Sequence, residues 1–354
     1  MSRRVVSFAW GRGLGHVSRL IAVHSEVRRL GWESLLLTER PQRLVDDYGL
    51  PQIVVPTDAD SLVGEPLLGA GPAVDHRVAR ALVAETLRAG DVVLHDVTVQ
   101  RELYDEAERR GSPQFLVHRF QRNRPDPALW AARHVPALRG VYLLGAAPGP
   151  DLVRHGVRLV STPPVLRRLL GTDSPWPGDA GPLRVAVVAG GGGHADAAGF
   201  LSAALGGIAG YGRRAAVEGL DVLVVTGPHF DGQVVVPDGL PGPVRVTPYL
   251  GPGYDPYRHA TVAVTHAGYN TVQELAHARV PAVVVPGVRD FDDQRVHLRA
   301  AAARLNAIVV QPDAKAVADA LPEAMRAGRP ASETAPHPVP DGAAYIARDL
   351  VESS

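Results

Sequence analysis

Short apolar runs alternate with longer amphipathic segments along almost the whole chain, and this alternation restricts the fold more than any other feature. Runs such as Val92–His95 and Val222–Val225 carry few polar residues at alternate positions, which is typical of parallel strands buried on both faces. The segment Val17–Leu30 repeats its apolar residues at helical spacing, and Gly31 follows it as a C-terminal cap. The repeated strand–helix order predicts an α/β fold with doubly wound parallel sheets.

The length of the chain and one change in composition divide this pattern into two domains. A chain of 354 residues exceeds what one hydrophobic core usually serves. Apolar periodicity is lost between Ser161 and Pro182, where proline and glycine are frequent, as in an inter-domain connection. We therefore predict domains at 1–162 and 183–330, a linker at 163–182, and a tail at 331–354 whose short helix packs back on the first domain.

Composition narrows the classes of partner and of chemistry. Lys plus Arg and Asp plus Glu are 37 each, so a formal net charge of zero gives no general attraction to nucleic acid or to an anionic membrane. The absence of cysteine excludes a disulfide framework, a thiolate nucleophile and a cysteine-ligated metal. No run approaches the roughly 18 apolar residues of a membrane span, and the first apolar run is too short for a signal peptide. We therefore expect a cytoplasmic protein without a transmembrane segment.

The first predicted strand, Val5–Trp10, leads into a glycine loop that opens a helix. Residues 11–16 read GRGLGH, and glycines let a backbone turn sharply while the helix start offers free N–H groups to a ligand. The spacing differs from the dinucleotide-binding fingerprint, because His16 stands where the third glycine belongs. An imidazole at the mouth of an open α/β sheet can take a proton from a hydroxyl group or from water. A tight turn with a locally hydrogen-bonded histidine accounts for the loop equally well.

A second and denser pattern follows the predicted strand Val262–Val264. Residues 265–275 read THAGYNTVQEL, a glycine turn opening a helix, and residues 286–294 read PGVRDFDDQ after the next strand. The early N–H groups of such a helix can hold a diphosphate. Glu274 lies on that helix and can accept hydrogen bonds from the two vicinal hydroxyls of a ribose. Asp293 and Gln294, at the next strand-to-helix junction, offer the donors and acceptors that sugar hydroxyls need.

These motifs resemble the donor-binding signature of GT-B glycosyltransferases, in particular the family that includes the bacterial glucosaminyltransferase making peptidoglycan lipid precursors (glycosyltransferase family 28). The HAGYNTVQE segment is similar to that family's Ser/His-x-Gly-x-x-Thr-x-x-Glu pattern, and PGVRDFDDQ to its proline-to-Asp/Gln sugar loop. GRGLGH, Gly190–Gly193 and Thr226-Gly227 resemble its further loops in the right order. The resemblance implies two Rossmann-like domains facing a central cleft, the first binding an acceptor and the second a nucleotide-sugar.

The resemblance also implies roles for individual residues. Glu274 would bind the ribose, Asp293 and Gln294 the donor sugar, and His16 would be the base. The residues implied to line the diphosphate are Gly268, Asn270 and Thr271, with Gly191 and Gly192 opposite. His266 is either structural or a phosphate contact. The residues alone also allow Glu274 as a solvent-facing helix carboxylate and Asp293 as a helix N-cap.

Two departures from the family pattern bear on the identity of the donor. His297 stands where the family commonly has asparagine, and the second glycine-rich loop, GGGGH, ends in His194 instead of the usual Gly-Gly-Ser or similar. His194 is either an extra phosphate ligand or only the start of a helix.

Five residues are candidates on the acceptor side, namely Gly13, Gly15, Asp96, His118 and Arg119. Asp96 ends a predicted strand and would point into the first half of the cleft. His118 and Arg119, with the nearby Arg122, follow the next strand and could bind an anionic acceptor. Local hydrogen bonding explains Asp96, His118 and Arg119 equally well.

We therefore expect an inverting glycosyltransferase that moves a sugar from a nucleoside-diphosphate sugar, with UDP-sugar favoured, to a small soluble acceptor in specialised metabolism, such as antibiotic biosynthesis. No cofactor or metal is expected, because Asp290, Asp292 and Asp293 lack the ligand spacing and glycine of a calcium loop. The alternatives are a nucleotide-sugar hydrolase of the same fold and a non-catalytic protein that binds sugar nucleotides. A sugar epimerase would need further acids around the sugar, and no clear set is present.

Overall fold

The structure is a computed structural model, and it divides into two compact units. One unit comprises Met1–Arg168 and Pro340–Ser354, and the other comprises Leu169–Val339. The residues that the structure describes are 3–10, 14–58, 61–63, 74–97, 99–119, 137–145, 156–171, 173–176, 183–217, 219–287, 293–328 and 341–354. Among these residues no helix combines the length and the hydropathy needed to cross a bilayer.

The first unit is built on a parallel sheet that has seven strands among the described residues, in the order β3-β2-β1-β5-β7-β8-β9. Its central strands are buried along their whole length, as the apolar runs of the sequence predict. A separate two-stranded antiparallel ribbon joins β4 to β6. The strands are β1 (Arg4–Ala9), β2 (Glu33–Thr38), β3 (Gln52–Val54), β4 (Leu62–Val63), β5 (Val92–Asp96), β6 (Val99–Gln100), β7 (Gln114–His118), β8 (Leu138–Leu144) and β9 (Arg158–Thr162).

Helices connect these strands, and the last helix of the chain also packs within the first unit. The helices are α1 (Leu14–Arg29), α2 (Arg43–Asp47), α3 (His76–Thr86), α4 (Arg101–Arg110) and the C-terminal α9 (Gly342–Glu352). The Asp341 carboxylate accepts hydrogen bonds from the backbone N–H groups of Ala343 and Ala344 and so caps α9. The Asp349 carboxylate then accepts from the Tyr142 hydroxyl at 2.7 Å and from the Arg158 guanidinium. These contacts tie α9 to β8 and β9.

The second unit repeats the design with a parallel sheet that has six strands among the described residues, in the order β12-β11-β10-β13-β14-β15. Apolar clusters cover both faces of this sheet. The strands are β10 (Leu183–Val188), β11 (Leu220–Val225), β12 (Val244–Thr247), β13 (Val262–Thr265), β14 (Ala282–Val284) and β15 (Ala307–Val309). The helices are α5 (Ala197–Ala215), α6 (Tyr269–Ala278), α7 (Gln294–Ala301) and α8 (Ala314–Ala327), with a 3-10 turn at Ala302–Arg304.

Helix α5 is longer than the sequence pattern predicts, because glycines inside it form a packing face. The apolar pattern of the sequence predicts a helix near Ala195–Leu205, but α5 begins at Ala197 and continues to Ala215. A Cβ atom added to Gly207 would lie 2.6 Å from the Val317 Cβ atom of α8, and one added to Gly206 would lie 3.2 Å from that of Ala314. Glycine here lets α8 approach α5 more closely than any side chain would allow.

We expect Gly207→Ala to lower the free energy of unfolding of the second unit by about 1–3 kcal/mol, the usual cost of overpacking a well-packed contact. The matched control is Gly199→Ala, because an added Cβ atom at Gly199 meets nothing within 4 Å in the same helix. That change should stabilise by up to about 1 kcal/mol through helix propensity. Urea unfolding measures both variants. Equal effects of the two substitutions would contradict the packing role of Gly207.

The sequence-based prediction of two doubly wound α/β halves is confirmed by the two parallel sheets. It missed the strand β9, which ends at Thr162 just before the proline-rich connection. Of the seven residues from Arg158 to Pro164, only Thr162 is buried, so this edge strand carries little of the apolar signal that identifies the central strands.

Candidate functional site

In each unit the order of the strands reverses beside the first strand. In the first unit, β1 lies between β2 and β5, and in the second, β10 lies between β11 and β13. Ligands of open α/β sheets bind outside the carboxyl ends of the strands at such a reversal. His16 follows β1 and Asp96 ends β5. The glycine loop 190–193 follows β10, and the segment 266–268 follows β13, so most of the residues singled out in the sequence lie at the two reversals.

In the first unit, His16 and Arg19 of helix α1 converge on the Asp96 carboxylate. The His16 Nδ1 atom lies 2.9 Å from Oδ2 of Asp96 and 3.0 Å from its backbone oxygen. The Arg19 guanidinium donates from Nε to Oδ1 at 2.9 Å and from Nη2 to Oδ2 at 2.7 Å. Because Asp96 contacts the Nδ1 atom of His16, Nε2 is the ring nitrogen that can act as a base.

The Asp96 carboxyl group is fully buried and charged. Burial by itself would raise the pKa of Asp96, but the Arg19 charge and the His16 hydrogen bond outweigh it and hold that pKa at about 2. An ionised carboxylate that accepts from Nδ1–H fixes the tautomer and orientation of an imidazole. Asp96 therefore holds His16 in place, and its carboxylate lies beneath the histidine with its own exposure at 1%.

The backbone after Asp96 is strained, and β7 ends beside it. Val97 has a φ of 63°, which is unusual for a β-branched residue, and its N–H donates to the Val117 carbonyl oxygen at 2.8 Å.

The acceptor-side candidates His118 and Arg119 follow Val117 at the end of β7 and are half-buried. The other two acceptor-side residues are glycines of the first loop, of which Gly15 lies in the first turn of α1 and Gly13 lies outside the described residues.

In the second unit, two glycine turns approach the buried Thr271 from different strands. A Cβ atom added to Gly268 would lie 3.8 Å from Thr271 Oγ1, and one added to Gly190 would lie 4.0 Å from the same atom. Gly268 precedes α6 without a side-chain cap, and Asn270 and Thr271 form the first turn of that helix. The arrangement places a helix start and its positive dipole end next to the glycine loop 190–193.

The glycine loop is locked against the turn that follows β11. A Cβ atom added to Gly192 would lie 2.3 Å from the Thr226 carbonyl oxygen, and one added to Gly227 would lie 2.3 Å from the Gly191 carbonyl carbon. The His229 N–H also donates to the Gly191 carbonyl oxygen at 3.1 Å. Gly192 and Gly227 have φ values of 76° and 91°, which side chains rarely adopt. The two loops therefore depend on glycine for both space and conformation.

Gln294 joins the loops that follow β13 and β14. Its Oε1 atom accepts a hydrogen bond from the Ala267 N–H at 3.1 Å and from the Gly287 N–H at 2.8 Å. The carbonyl end of the amide is thereby committed to the backbone, and the amide NH2 is the end left for a sugar hydroxyl. Asp293 caps α7, because its Oδ1 accepts from the Arg295 N–H at 3.0 Å.

Two histidines of this unit are packed into its interior. His266 Nδ1 lies 2.9 Å from the Val285 carbonyl oxygen, and its ring centroid lies 4.1 Å from that of Phe200. His297 packs edge-on against Tyr269 with centroids 5.5 Å apart. Both residues are at least nine-tenths buried, whereas His194 is exposed.

Glu274 lies in the second turn of α6 and is half-buried. Its charge acts on Tyr257, which is fully buried. Burial first, and then the nearby carboxylates of Glu274 and Asp255, raise the pKa of Tyr257 well above its usual range. Tyr257 thus stays neutral near the carboxylate of the half-buried Glu274.

Substitutions at Gln294 are expected to separate its two ends. Gln294→Ala should lower the free energy of unfolding by about 2 kcal/mol, since each buried N–H left unsatisfied costs about 1–3 kcal/mol. Gln294→Glu keeps an oxygen acceptor for both N–H groups but loses the NH2 donor, so it should unfold near the wild-type urea concentration and bind donor more weakly. Urea unfolding and calorimetric donor titration measure the two effects. Wild-type donor affinity in Gln294→Glu would contradict the assignment.

The sequence matches a known domain family over somewhat more than a third of its length. Residues 211–344 match the family model described as the glycosyltransferase family 28 C-terminal domain. This segment contains Gly227, Glu274, Gln294 and the locked turn described above. The chain therefore has the GT-B fold, and its residues 211–344 are similar to the C-terminal domain of family 28 glycosyltransferases.

Solved structures support this fold over the full length of the chain. The crystal structure of Acinetobacter baumannii MurG is 18% identical with a TM-score of 0.56, and the alignment covers 100% of both chains. CalG4, a calicheamicin glycosyltransferase, is 16% identical with a TM-score of 0.54, covering 100% of this chain and 95% of its own. Phytolacca americana UGT2, complexed with UDP-2-fluoro-glucose and pterostilbene, is 15% identical with a TM-score of 0.58, covering 99% and 94%. Comparison with curated proteins gives no sequence match.

Two features of the candidate site escaped prediction from the sequence. Arg19 lies one turn after His16 and is 3% exposed. The sequence signal for its role was a cationic residue within the apolar face of α1. The role of Asp96 beneath His16 could not be read from the chain, because the two residues are 80 positions apart and meet only through the strand order. Arg122, Asp290 and Asp292 lie outside the described residues.

Proposed function

We propose that the protein is a glycosyltransferase that moves a sugar from a nucleoside-diphosphate sugar to a hydroxyl or amine of a small acceptor, with inversion at the anomeric carbon and without a metal ion. The observation that carries this proposal is His16 held through Nδ1 by a buried, ionised Asp96. A histidine oriented in this way is suited to general-base catalysis at neutral pH.

In the proposed reaction, Nε2 of His16 takes the proton of the acceptor hydroxyl as its oxygen attacks the anomeric carbon. One bond forms between the acceptor oxygen and that carbon, and the bond from the carbon to the diphosphate oxygen breaks. The electron pair of the broken bond leaves with the nucleoside diphosphate. A single displacement of this kind inverts the anomeric configuration, and no covalent intermediate on the enzyme is required.

The leaving diphosphate is proposed to lie at the start of α6, between Thr271 and the glycine loop 190–193. Thr271 Oγ1 and the N–H groups of the first turn are the available donors, and the helix dipole favours the negative charge that develops there. These fixed donors supply the electrostatic stabilisation that a divalent cation supplies elsewhere. We therefore expect sugar transfer to continue in the presence of a chelator.

We further propose that the nucleotide is a ribonucleotide, with UDP favoured, and that Glu274 binds its ribose. A carboxylate that accepts from both vicinal hydroxyls gains one hydrogen bond from the 2′-hydroxyl that a deoxyribose cannot offer. UGT2 is complexed with UDP-2-fluoro-glucose and pterostilbene, and CalG4 is a calicheamicin glycosyltransferase. We extend both features to this chain as the proposal of a small acceptor from specialised metabolism.

The test compares UDP with 2′-deoxy-UDP, because these ligands differ only in the 2′-hydroxyl. Wild-type protein should bind UDP at least about tenfold more tightly, since a hydrogen bond to a charged group is worth about 1.5–3 kcal/mol. Glu274→Ala should lose that preference, and Glu323→Ala, an exposed glutamate of α8, should keep it. Calorimetry measures the affinity of each variant for the two ligands. Thermal unfolding supports it, because a ligand present at 100 times its dissociation constant should stabilise the protein by about 2.7 kcal/mol. Equal affinity of the wild type for the two ligands would contradict the assignment to Glu274.

A further inference from the structure

Arg19 shares the Asp96 carboxylate with the proposed base. Helix α1 brings this about, because residues three apart lie on the same side of a helix, and His16 and Arg19 both reach the end of β5. Asp96 Oδ2 is the shared atom, 2.9 Å from His16 Nδ1 and 2.7 Å from Arg19 Nη2. The second Arg19 hydrogen bond, to Oδ1, makes the guanidinium contact bidentate.

The pairing has a chemical consequence for a base. A buried carboxylate that faced the imidazole alone would strongly favour the protonated ring, and a protonated ring cannot accept the proton of an acceptor. The permanent charge of Arg19 offsets the charge of Asp96 at the same atom, because a guanidinium does not lose its proton in proteins. The carboxylate can then orient the ring without holding a proton on it.

We propose that Arg19 is a positioning residue: by sharing the Asp96 carboxylate, it lets that carboxylate orient the His16 ring without holding a proton on it. This inference rests on the proposed function, because it concerns the same histidine. It adds a second action of the site: Asp96 sets the orientation of the ring, and Arg19 balances the charge of Asp96.

Strand β5 and helix α1 supply the charged groups that meet at the Asp96 carboxylate beside His16. Asp96 faces the ring from β5 and Arg19 from α1, and Trp10 at the end of β1 packs edge-on at 6.2 Å. His118 and Arg119 follow the end of the neighbouring strand β7. Arg19 is the cation that shares the Asp96 carboxylate with the ring, so its removal is expected to dominate any change in the pH dependence.

The experiment measures kcat/KM for the acceptor between pH 5.5 and 9.5 at saturating donor, in wild type, Arg19→Met and Arg19→Lys. Arg19→Met should lose about tenfold or more of its activity at pH 7 and recover most of it near pH 9, because removing one charge at this range moves a titration by about one pH unit or more. Arg19→Lys keeps the charge without the fork and should show a smaller move in the same direction. Arg28→Met, an exposed arginine of the same helix, should keep the wild-type profile.

A merely structural role for Arg19 gives a different result. It would lower activity by the same factor at every pH, and that outcome, or an unchanged acid limb, would overturn the inference. If Arg19→Met fails to fold, Arg19→Gln decides, because glutamine also removes the charge: an acid limb moved to higher pH supports the inference, and an unmoved limb overturns it.

A second measurement separates this inference from the proposed function. The ring C–H resonances of His16 can be identified among those of 14 histidines by their loss in His16→Gln. Their change with pH should occur at higher pH in Arg19→Met than in wild type, whatever reaction the protein catalyses. Coincident titration curves of the wild type and Arg19→Met would overturn the inference. Turnover that is unchanged in His16→Gln would overturn the proposed function alone.

Discussion

Replacing His16 by glutamine is expected to lower kcat by about 10²- to 10⁴-fold, the usual contribution of a general base. Glutamine keeps a polar side chain next to Asp96 but cannot take the acceptor proton. The dissociation constant for UDP should remain within about twofold of the wild type, because the residues proposed to bind the donor belong to the other unit. Steady-state kinetics and calorimetry on the same preparations measure the two quantities.

The matched control for this prediction is His259→Gln. His259 is an exposed histidine of the second unit, and its replacement should leave kcat within about twofold of the wild type, as is usual for surface changes of less than about 0.5 kcal/mol. A loss of donor binding in His16→Gln equal to its loss of turnover would indicate a folding defect. Full turnover in His16→Gln with an intact fold would show that the base lies elsewhere.

Replacing Gly227 by alanine is expected to disrupt the donor site more than any single polar substitution does. The new Cβ atom would lie 2.3 Å from the Gly191 carbonyl carbon, so one of the two loops must move. The positive φ adds a conformational cost of about 1–2 kcal/mol. Since the displaced loop 190–193 is proposed to face the diphosphate, we expect UDP affinity to fall by about 100-fold, equivalent to about 2.7 kcal/mol.

Gly239→Ala separates the conformational cost from the contact between the loops. Gly239 has a φ of 81° in the same unit, but its added Cβ atom would meet only the Arg213 side chain, at 3.4 Å. This variant should lose a similar free energy of unfolding from its backbone conformation and retain wild-type UDP affinity. Calorimetric titration distinguishes the two variants. Equal UDP affinities would show that the contact between the glycine loops does not shape the donor site.

Much of the fold could be predicted because its signals are local. Apolar runs such as that of β11 identify buried parallel strands, and the glycines after β10 mark the turn that precedes the next helix. The errors have physical causes of the same local kind. The glycines of α5 act as helix-breaking signals in the sequence, yet in the structure they serve contact with α8. Strand β9 is too exposed to show a clear apolar pattern.

The candidate site could be predicted only where its residues are neighbours in the sequence. Glu274, Asp293 and Gln294 belong to two dense segments, and each falls on the helix or junction expected for it. The hydrogen bonds of Gln294 to Ala267 and Gly287 depend on two neighbouring strands, so only the structure shows which end of the amide is committed. The same holds for Asp96, which sequence analysis placed among acceptor contacts and which the structure places beneath His16.

The most direct test of the account is the release of UDP from a UDP-sugar, followed with and without a small acceptor in the presence of a chelator. The account predicts release that depends on the acceptor, continues with the chelator and falls by about 10²-fold or more in His16→Gln. Release at the same rate without any acceptor would identify a hydrolase instead. Release that His16→Gln leaves unchanged would contradict the assignment of the base, and with it the central claim.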